Sequence, residues 1–484
     1  MKTSKMLNRR RFLQATAASA ATLTTPVTWS ANSANSDRRF LFVIGANGGA
    51  SIVDSFLPIL DTDSNTKLNA FTADQIQEVP GSNFRCTRPF ENLIQGAIPL
   101  GDGYDMGEFL KKHTNDMAVV TQQVSSVNHQ IASRRSVDGN GINSGRTLQE
   151  AVATRYGQGL LLPNANMAAD DYGGAGYDSS ISPFARAQTI SDPRSMAFAT
   201  HGFKGINNLP AQNLIAQARN VRQQLSQTSD HKKAFNARST VSNYLHNRDT
   251  VMQQLEYAEV INQLLLLPKA PNGQPLSDFG LEQSSEAQEL FSQFPNLVND
   301  PLEAQTALAF LLVKTGLSCA VTLEPSETPF LDASTGRAIT SPLAYDWSHI
   351  NHRGTQNAMW GRIMNMTDKL ISLLKATEFQ NGESLWDRSL IYIATDFGRE
   401  KVSMGGSGHH LNNGNVLISP YLNGNRVYGG VDANTALTYG FDPASGTADP
   451  STTMNEGDIY SAICHAMDID FEGRRDMPAL VKAS

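Results

Sequence analysis

The strongest indicator of the fold class is Arg38-Arg39-Phe40-Leu41-Phe42-Val43-Ile44-Gly45-Ala46-Asn47-Gly48-Gly49. This stretch joins a continuous apolar run to a glycine turn. A run that is apolar throughout, instead of at every second position, is typical of a strand buried on both faces. The glycine turn allows polar groups to point out of the sheet at the strand end. Four further segments are predicted to be buried strands: Met117–Thr121, Leu317–Leu323, Leu390–Thr395 and Val416–Ile418.

Helical patterns separate several of these strands. Glu303–Lys314 precedes the third strand, and Thr355–Ala376 carries apolar residues such as Met359, Ile363 and Met366 at three- and four-residue steps. Buried strands that alternate with helices predict an α/β fold. We expect a mostly parallel sheet with helices on both of its faces.

The middle of the chain has a different composition. Residues 209–268 are rich in Gln, Asn, Leu and Ala and show helical periodicity through Val251, Leu255, Ala258, Ile261 and Leu265. We predict a mainly helical insertion over 165–300. It would lie between an N-terminal part (35–164) and a C-terminal part (301–484) of the α/β domain.

The amino terminus has the layout of an export signal. Asn8-Arg9-Arg10-Arg11-Phe12-Leu13-Gln14 is basic, and a modestly apolar, Ala- and Thr-rich stretch follows it. The segment Phe12–Trp29 is too short and too rich in Thr and Ser to span a bilayer stably. Residues 1–34 are therefore predicted to be a twin-arginine signal, read by the translocation machinery that exports folded proteins. The mature protein would then be periplasmic or extracellular.

The charge balance excludes one class of partner. Loss of residues 1–34 removes five positive charges and no negative ones, which changes the formal net charge from −7 to −12. An acidic chain without basic runs is a poor nucleic-acid binder, because binding depends on neutralising phosphates. No stable membrane span is expected. The three cysteines, Cys86, Cys319 and Cys464, are too few for a disulfide framework.

Polar residues that can bind metals follow the predicted strands. Asn47 follows the first strand, Ser125–His129 the second and Asp396 the fourth, while His409 and His410 precede the fifth. In open α/β sheets, ligands collect at the carboxyl ends of parallel strands. These residues are therefore candidates for one site, with ordinary polar loops as the alternative.

A further candidate group lies ahead of the long helix. Asp346-Trp347-Ser348-His349-Ile350-Asn351-His352 places a carboxylate and two imidazoles at three-residue steps. Imidazole with carboxylate suits Zn²⁺, Mn²⁺ or Fe, and carboxylate alone suits Mg²⁺ or Ca²⁺. Two such ions about 4 Å apart would polarise a phosphoryl or sulfuryl group and lower the pKa of an attacking hydroxyl.

Several segments together resemble the DUF1501 family of exported proteins, a branch of the alkaline-phosphatase-like superfamily. The resemblance spans most of the chain outside the helical insertion. The matching segments are Phe42–Gly49, Asn128-His129 with Gly139-Asn140-Gly141, Asp346-Trp347-Ser348-His349, Thr395-Asp396-Phe397-Gly398-Arg399, Gly408-His409-His410 and Arg426–Asp432. The segment Thr395–Arg399 is the most distinctive of them, because it is similar to the family's Ser-Glu-Phe-Gly-Arg.

The resemblance implies a metal site and also points to departures from the pattern. One metal would be held by Asp346, by His349 or His352, and by His410. A second would use Asp396 and Asn47, but Asn47 is a neutral amide where the superfamily has a carboxylate. Phe397 replaces a common histidine ligand, and His409 stands where an acid is usual. The second metal site is therefore expected to be weakened or absent.

The catalytic side chains have alternative explanations. Ser125 or Ser126 could be the nucleophile at a strand-to-helix turn, with His129 beside it, or either serine could cap the following helix. Arg399 could bind an anionic oxygen or pair with a nearby acid.

The sequence is compatible with three functions. The first is an exported metal-dependent hydrolase of phosphate or sulfate esters, whose anionic ester substrate could come from the cell envelope. The second is a non-catalytic binding or structural protein that keeps the fold. The third is an exported factor that binds an envelope polymer or filament through the helical insertion.

Overall fold

A mixed eight-stranded sheet forms the centre of the protein in a computed structural model. The structure describes residues 37–65, 70–89, 104–168, 171–201, 212–235, 260–325, 329–331, 338–340, 345–400 and 405–483. The described strands are β1 Phe40–Ala46, β2 Ile76–Glu78, β3 Arg85–Thr87, β4 Met117–Gln123, β5 Asn164–Asn166, β6 Gln188–Thr189, β7 Ala320–Leu323, β8 Pro329–Leu331, β9 Ala338–Thr340, β10 Glu378–Gln380, β11 Glu383–Ser384, β12 Ser389–Thr395, β13 Gly398–Arg399, β14 His409–His410, β15 Asn412–Ile418, β16 Arg426–Tyr428, β17 Gly430–Val431, β18 Thr438–Phe441 and β19 Ala448–Asp449.

The described helices are α1 Met106–His113, α2 His129–Asp138, α3 Leu148–Tyr156, α4 Met196–His201, α5 Gln212–Thr228, α6 Asp230–Phe235, α7 Val260–Gln263, α8 Ser285–Gln293, α9 Pro301–Lys314, α10 His352–Ala376 and α11 Glu456–Ala466. The two helices that begin beside the candidate site residues, α2 and α10, each have a side-chain N-cap. Asn128 caps α2 and Asn351 caps α10, each by accepting a backbone N–H of the first turn.

The strand order in the main sheet is β16-β4-β15-β12-β1-β7-β5-β6. All neighbouring pairs are parallel except those that β15 makes with β4 and β12. Every residue of β1 and β12 is buried, as expected for central strands covered on both faces. Helices α2, α3 and α11 contact one another, helix α10 contacts both α9 and α1, and strand β7 contacts both α3 and α9. The predicted α/β class with a mostly parallel sheet is confirmed.

Three details differ from the sequence prediction. The third strand begins at Ala320 and not at Leu317, because the backbone N–H of Leu317 closes the end of α9 on Leu312. The long helix begins three residues earlier than predicted, at His352. The fifth strand is longer than predicted and runs antiparallel, since the short hairpin of β13 and β14 returns the chain beside β12.

The predicted division into domains stays a prediction. Strand β5 crosses the start of the 165–300 segment and β6 lies within the segment, yet both belong to the main sheet. Apolar residues of the segment, such as Leu264 and Leu297, are part of the same core as β1. Val251, Leu255 and Ala258 lie outside the described residues, as does the whole 1–34 signal segment. Within the described part of the chain, no helix is both long enough and apolar enough to cross a membrane.

Candidate metal centre

The site begins where β1 and β12 end side by side. These strands are parallel neighbours in which Ala46 lies opposite Thr395, so Asn47 and Asp396 leave the sheet at the same edge. The buried Asp396 carboxylate accepts the N–H groups of Gly49 (2.8 Å) and Gly48 (3.3 Å). Both glycines have a positive φ, and a Cβ at Gly48 would lie 2.4 Å from the backbone nitrogen of Asp346. The glycine turn therefore brings the acid and the Asp346 segment together.

His129 is held against Asp396 by the start of helix α2. Its Nδ1 lies 2.7 Å from Asp396 Oδ2, and its Nε2 lies 3.5 Å from Asp346 Oδ1. The ring also contacts Phe397, with centroids 4.7 Å apart. A carboxylate on one imidazole nitrogen fixes the ring orientation and leaves the other nitrogen facing the site, as in carboxylate–histidine–zinc groups.

His349 and His409 complete the group from two other segments. His349 Nε2 lies 3.3 Å from Asp346 Oδ1 and 2.9 Å from His409 Nε2. His409 donates its Nδ1–H to the carbonyl oxygen of Val127 at 2.9 Å, which leaves its Nε2 with a lone pair when the ring is neutral. We call His129, Asp346, His349 and His409 the histidine cluster.

Arg399 lies beneath the histidine cluster and is fully buried. Its guanidinium donates to the carbonyl oxygens of Gly48, Tyr345 and Ser407. It also lies 3.3 Å from Asp346 Oδ1 and 3.1 Å from His349 Nε2. Of the two interpretations of Arg399, pairing with a nearby acid is the one that these contacts support.

The charges of the cluster set the protonation of its members. Burial disfavours the charged ring of His129, but hydrogen bonds to Asp346 and Asp396 outweigh it and raise its pKa to about 9. Burial, aided by the positive charge of Arg399, lowers the pKa of His349 and of His409. Burial would raise the pKa of Asp346, but its hydrogen bond to His129 and the nearby positive charges lower it. The cluster thus contains two neutral imidazoles and an ionised carboxylate at neutral pH.

The donor set fits one divalent cation. Ligand atoms of His129, Asp346 and His409 all lie within 4.8 Å of one another. Two imidazoles and a carboxylate suit Zn²⁺, Mn²⁺ or Fe²⁺, and three protein ligands are typical of catalytic zinc sites.

The two residues expected to hold a second metal are engaged elsewhere. Asn47 donates its side-chain N–H to Glu324 Oε1 at 2.8 Å, and its Oδ1 accepts the N–H of Gly48. Asp396 accepts backbone N–H groups on both oxygens and contacts His129. Glu324 was not singled out from the sequence, although a buried acid directly after strand β7 is the signal that could have identified it.

His352 lies apart from the cluster, which corrects its expected role as a ligand. Its Nε2 contacts Asp54 Oδ2 at 3.0 Å and its Nδ1 contacts Ser407 Oγ at 2.7 Å, and all three side chains are buried. We call these three residues the Asp54–His352–Ser407 chain. It ties the loop before His409 to the start of α10, since His352 N–H also donates to Gly405 and Ser407 N–H donates to Ser348.

His409, and not His410, joins the cluster, which corrects the ligand implied by the family resemblance. The two residues form strand β14, and successive side chains of a strand point to opposite sides. His410 Nδ1 accepts the backbone N–H of Asn412 at 3.3 Å.

The two candidate serines contact residues outside the cluster. The Ser125 hydroxyl donates to Glu456 and accepts from Arg135 Nη1 (2.9 Å) beside a cavity of about 500 Å³. Ser126 Oγ accepts the N–H of Asn128 at 3.2 Å. The alternative of a serine N-cap is wrong, because Asn128 is the cap of α2.

Comparisons with known proteins add little to this geometry. No protein-family model matches the chain, and no curated protein does. Among solved structures, the chain is similar to the phosphonate monoester hydrolase SpPMH from Silicibacter pomeroyi, with 12% sequence identity and a TM-score of 0.33 over 92% of this chain and 77% of that one. At this level of similarity, the function has to be argued from the site itself.

Proposed function

We propose that the protein is an exported hydrolase of phosphate or sulfate esters that depends on a divalent cation. The observation that carries the proposal is the convergence of His129, Asp346 and His409, with Nδ1 of each imidazole already hydrogen-bonded to Asp396 or Val127. Such outer hydrogen bonds orient imidazole ligands and raise their affinity for a metal.

His129, Asp346 and His409 would hold the cation. When bound, it supplies Lewis-acid chemistry: it polarises an ester oxygen and makes an attacking water more acidic. The cation would replace the proton on His129. The positive charges of the cation and Arg399 would then exceed the negative charges of the Asp346 and Asp396 carboxylates. The resulting excess of positive charge favours binding of an anionic ester.

His349 is the candidate general base of this reaction. Its lowered pKa keeps the ring neutral, and its side chain is about half exposed at the edge of the cluster. A neutral imidazole within reach of substrate can accept the proton of an attacking water. We therefore assign attack to water and not to Ser125, whose hydroxyl is already bonded to Glu456.

The alternative is an exported protein that binds a cation without catalysis. It is favoured by the internal hydrogen bonds that Asn47 and Asp396 already make. In the superfamily that the chain resembles, the residues at these two positions bind a second metal.

Metal analysis combined with hydrolysis assays separates the two functions. Purified protein should contain about one equivalent of a transition metal and should cleave 4-nitrophenyl phosphate or sulfate. His409→Ala should purify with well under one equivalent of metal and lose turnover, whereas His349→Ala should keep the metal and lose turnover. His465→Ala, which changes a partly exposed histidine outside the cluster, is the matched control. Metal without turnover of either ester would favour the binding protein.

Export is part of the proposal and has its own test. The paired Arg9-Arg10 ahead of an Ala- and Thr-rich stretch supports transport of the folded chain. A protein with Arg9→Lys and Arg10→Lys should remain in the cytoplasm, while the unchanged protein reaches the periplasm in cell fractionation.

A further inference from the structure

Exposed apolar residues flank the histidines of the cluster along the chain. Val127, Ile350 and Leu411 are all exposed, and each lies within two residues of a histidine of the cluster. Isolated apolar residues on a surface need no explanation, but a group around a polar site does. We call these three side chains the apolar rim.

Backbone contacts hold the rim next to the cluster. The carbonyl oxygen of Val127 accepts from His409 Nδ1, and the carbonyl oxygen of Leu411 accepts the N–H of Val124. Ile350 follows His349 at the end of the short helix Asp346–His349. The rim residues are thus fixed in position by the same segments that carry the site.

An apolar floor lies below the cluster as well. Phe397 packs with Val124 and Ala132 in a small cluster separate from the main core, and its ring stacks on His409 with centroids 4.2 Å apart. Arg399 lies 5.9 Å from the centre of the same ring. Phe397 thus gives the imidazoles of His129 and His409 an apolar neighbour on the protein side.

We propose that the apolar rim binds the alcohol part of the substrate, so that the preferred substrates are anionic esters of apolar alcohols. The proposal rests on the proposed function for the anionic group, which would lie at the histidine cluster. Charge complementarity favours such a substrate. The cluster attracts its anionic group, and the apolar rim then contacts its uncharged alcohol part. Ile350 and Leu411 would be specificity-determining residues.

Alkyl sulfonates test the rim without requiring turnover. Octanesulfonate, below its micellar concentration, should bind at least tenfold more tightly than methanesulfonate in calorimetric titrations of the metal-loaded protein, because each buried methylene contributes roughly a three- to fourfold gain. In the double variant Ile350→Ser with Leu411→Ser, this ratio should fall to about threefold or less, with methanesulfonate binding unchanged.

The control is Leu225→Ser, because Leu225 is as exposed as Ile350 (65% against 68%) and lies on helix α5, away from the site residues in sequence. It should keep the full ratio. An equal ratio in the rim variant and the control would overturn the proposal, as would a rim variant that converts a dimer to a monomer in sedimentation, since a second copy would then cover the rim.

The outcome is separable from that of the proposed function. If the protein cleaves no ester but still discriminates between the sulfonates through the rim, the hydrolase fails and the rim stands. If it cleaves methyl and octyl esters with the same kcat/KM in every variant, the rim fails and the hydrolase stands.

Discussion

This protein contains two carboxylate–imidazole groups, and they differ in what the second ring nitrogen contacts. In the Asp54–His352–Ser407 chain, both nitrogens of His352 are hydrogen-bonded and the ring is buried. In the histidine cluster, His129 and His409 bond through Nδ1 and turn Nε2 toward Asp346 and His349. The first group can only stabilise the fold. The second can bind a ligand, so the partner of the second nitrogen decides the role of each histidine.

The largest expected effect is on the buried group. His352→Leu removes the imidazole between Asp54 and Ser407 and should lower the free energy of unfolding by about 3–5 kcal/mol, because the buried Asp54 carboxylate loses its contact with this ring. His349→Leu, at an exposed position of the cluster, should change it by less than about 0.5 kcal/mol. Urea unfolding measures both. Equal effects of the two substitutions would remove the distinction between the groups.

A smaller effect is expected at Asp396, which is not a member of the cluster but accepts a hydrogen bond from His129. Asp396→Asn weakens the hydrogen bond that orients His129 and should reduce cation affinity by about 10–100-fold. Competition with a chelating dye measures this affinity. Asp432→Asn makes the same charge change in a turn, where the carboxylate accepts the N–H of Thr435 (2.7 Å), and it should leave cation affinity unchanged. A full loss of binding in Asp396→Asn would instead make Asp396 a direct ligand.

The smallest effect concerns pH. The pKa of His129 is raised to about 9 by Asp346 and Asp396 against the effect of burial, so its proton stabilises the metal-free fold. This contribution is fully present below the unfolded pKa of about 6.5 and is lost as pH rises through about 9. After discounting for partial exposure, the stability difference between the natural protein and His129→Gln should shrink by on the order of 1 kcal/mol between pH 6 and 9.5.

Cation affinity should change with pH in the opposite direction to the stability of the metal-free fold. Because the cation must displace the proton of His129, its affinity should increase with pH over the same range, with about one proton released per cation at pH 7.5. Calorimetry in buffers of different ionisation enthalpy counts this proton. The matched control for both measurements is His465→Gln, which should behave as the natural protein does.

Much of the fold followed from local apolar patterns. The runs at Phe40–Ile44 and Leu390–Thr395 predicted two central strands, since only strands buried on both faces are apolar throughout. The direction of the fifth strand could not be predicted, because it depends on the short hairpin at Arg399 and His409. The start of the third strand was misplaced because Leu317 is apolar whether it ends a helix or begins a strand.

The candidate site followed from the sequence only in part. Strand-end positions indicated Asp396 and the Ser125–His129 segment, and residue type indicated Asp346 and the histidines. Sequence spacing could not separate His349 from His352, because the orientation of each ring depends on where helix α10 begins. Nor could it show that His409 and His410 point to opposite sides of a two-residue strand.

The most direct test of the central claim is the coordination of a bound cation, measured by X-ray absorption on zinc-loaded protein. We expect two imidazoles and light oxygen scatterers around the zinc, with no sulfur. The signal of one imidazole should disappear in His409→Ala and remain in His352→Asn. Coordination that is unchanged in His409→Ala, or that loses an imidazole in His352→Asn, would contradict the assignment of the site to the histidine cluster.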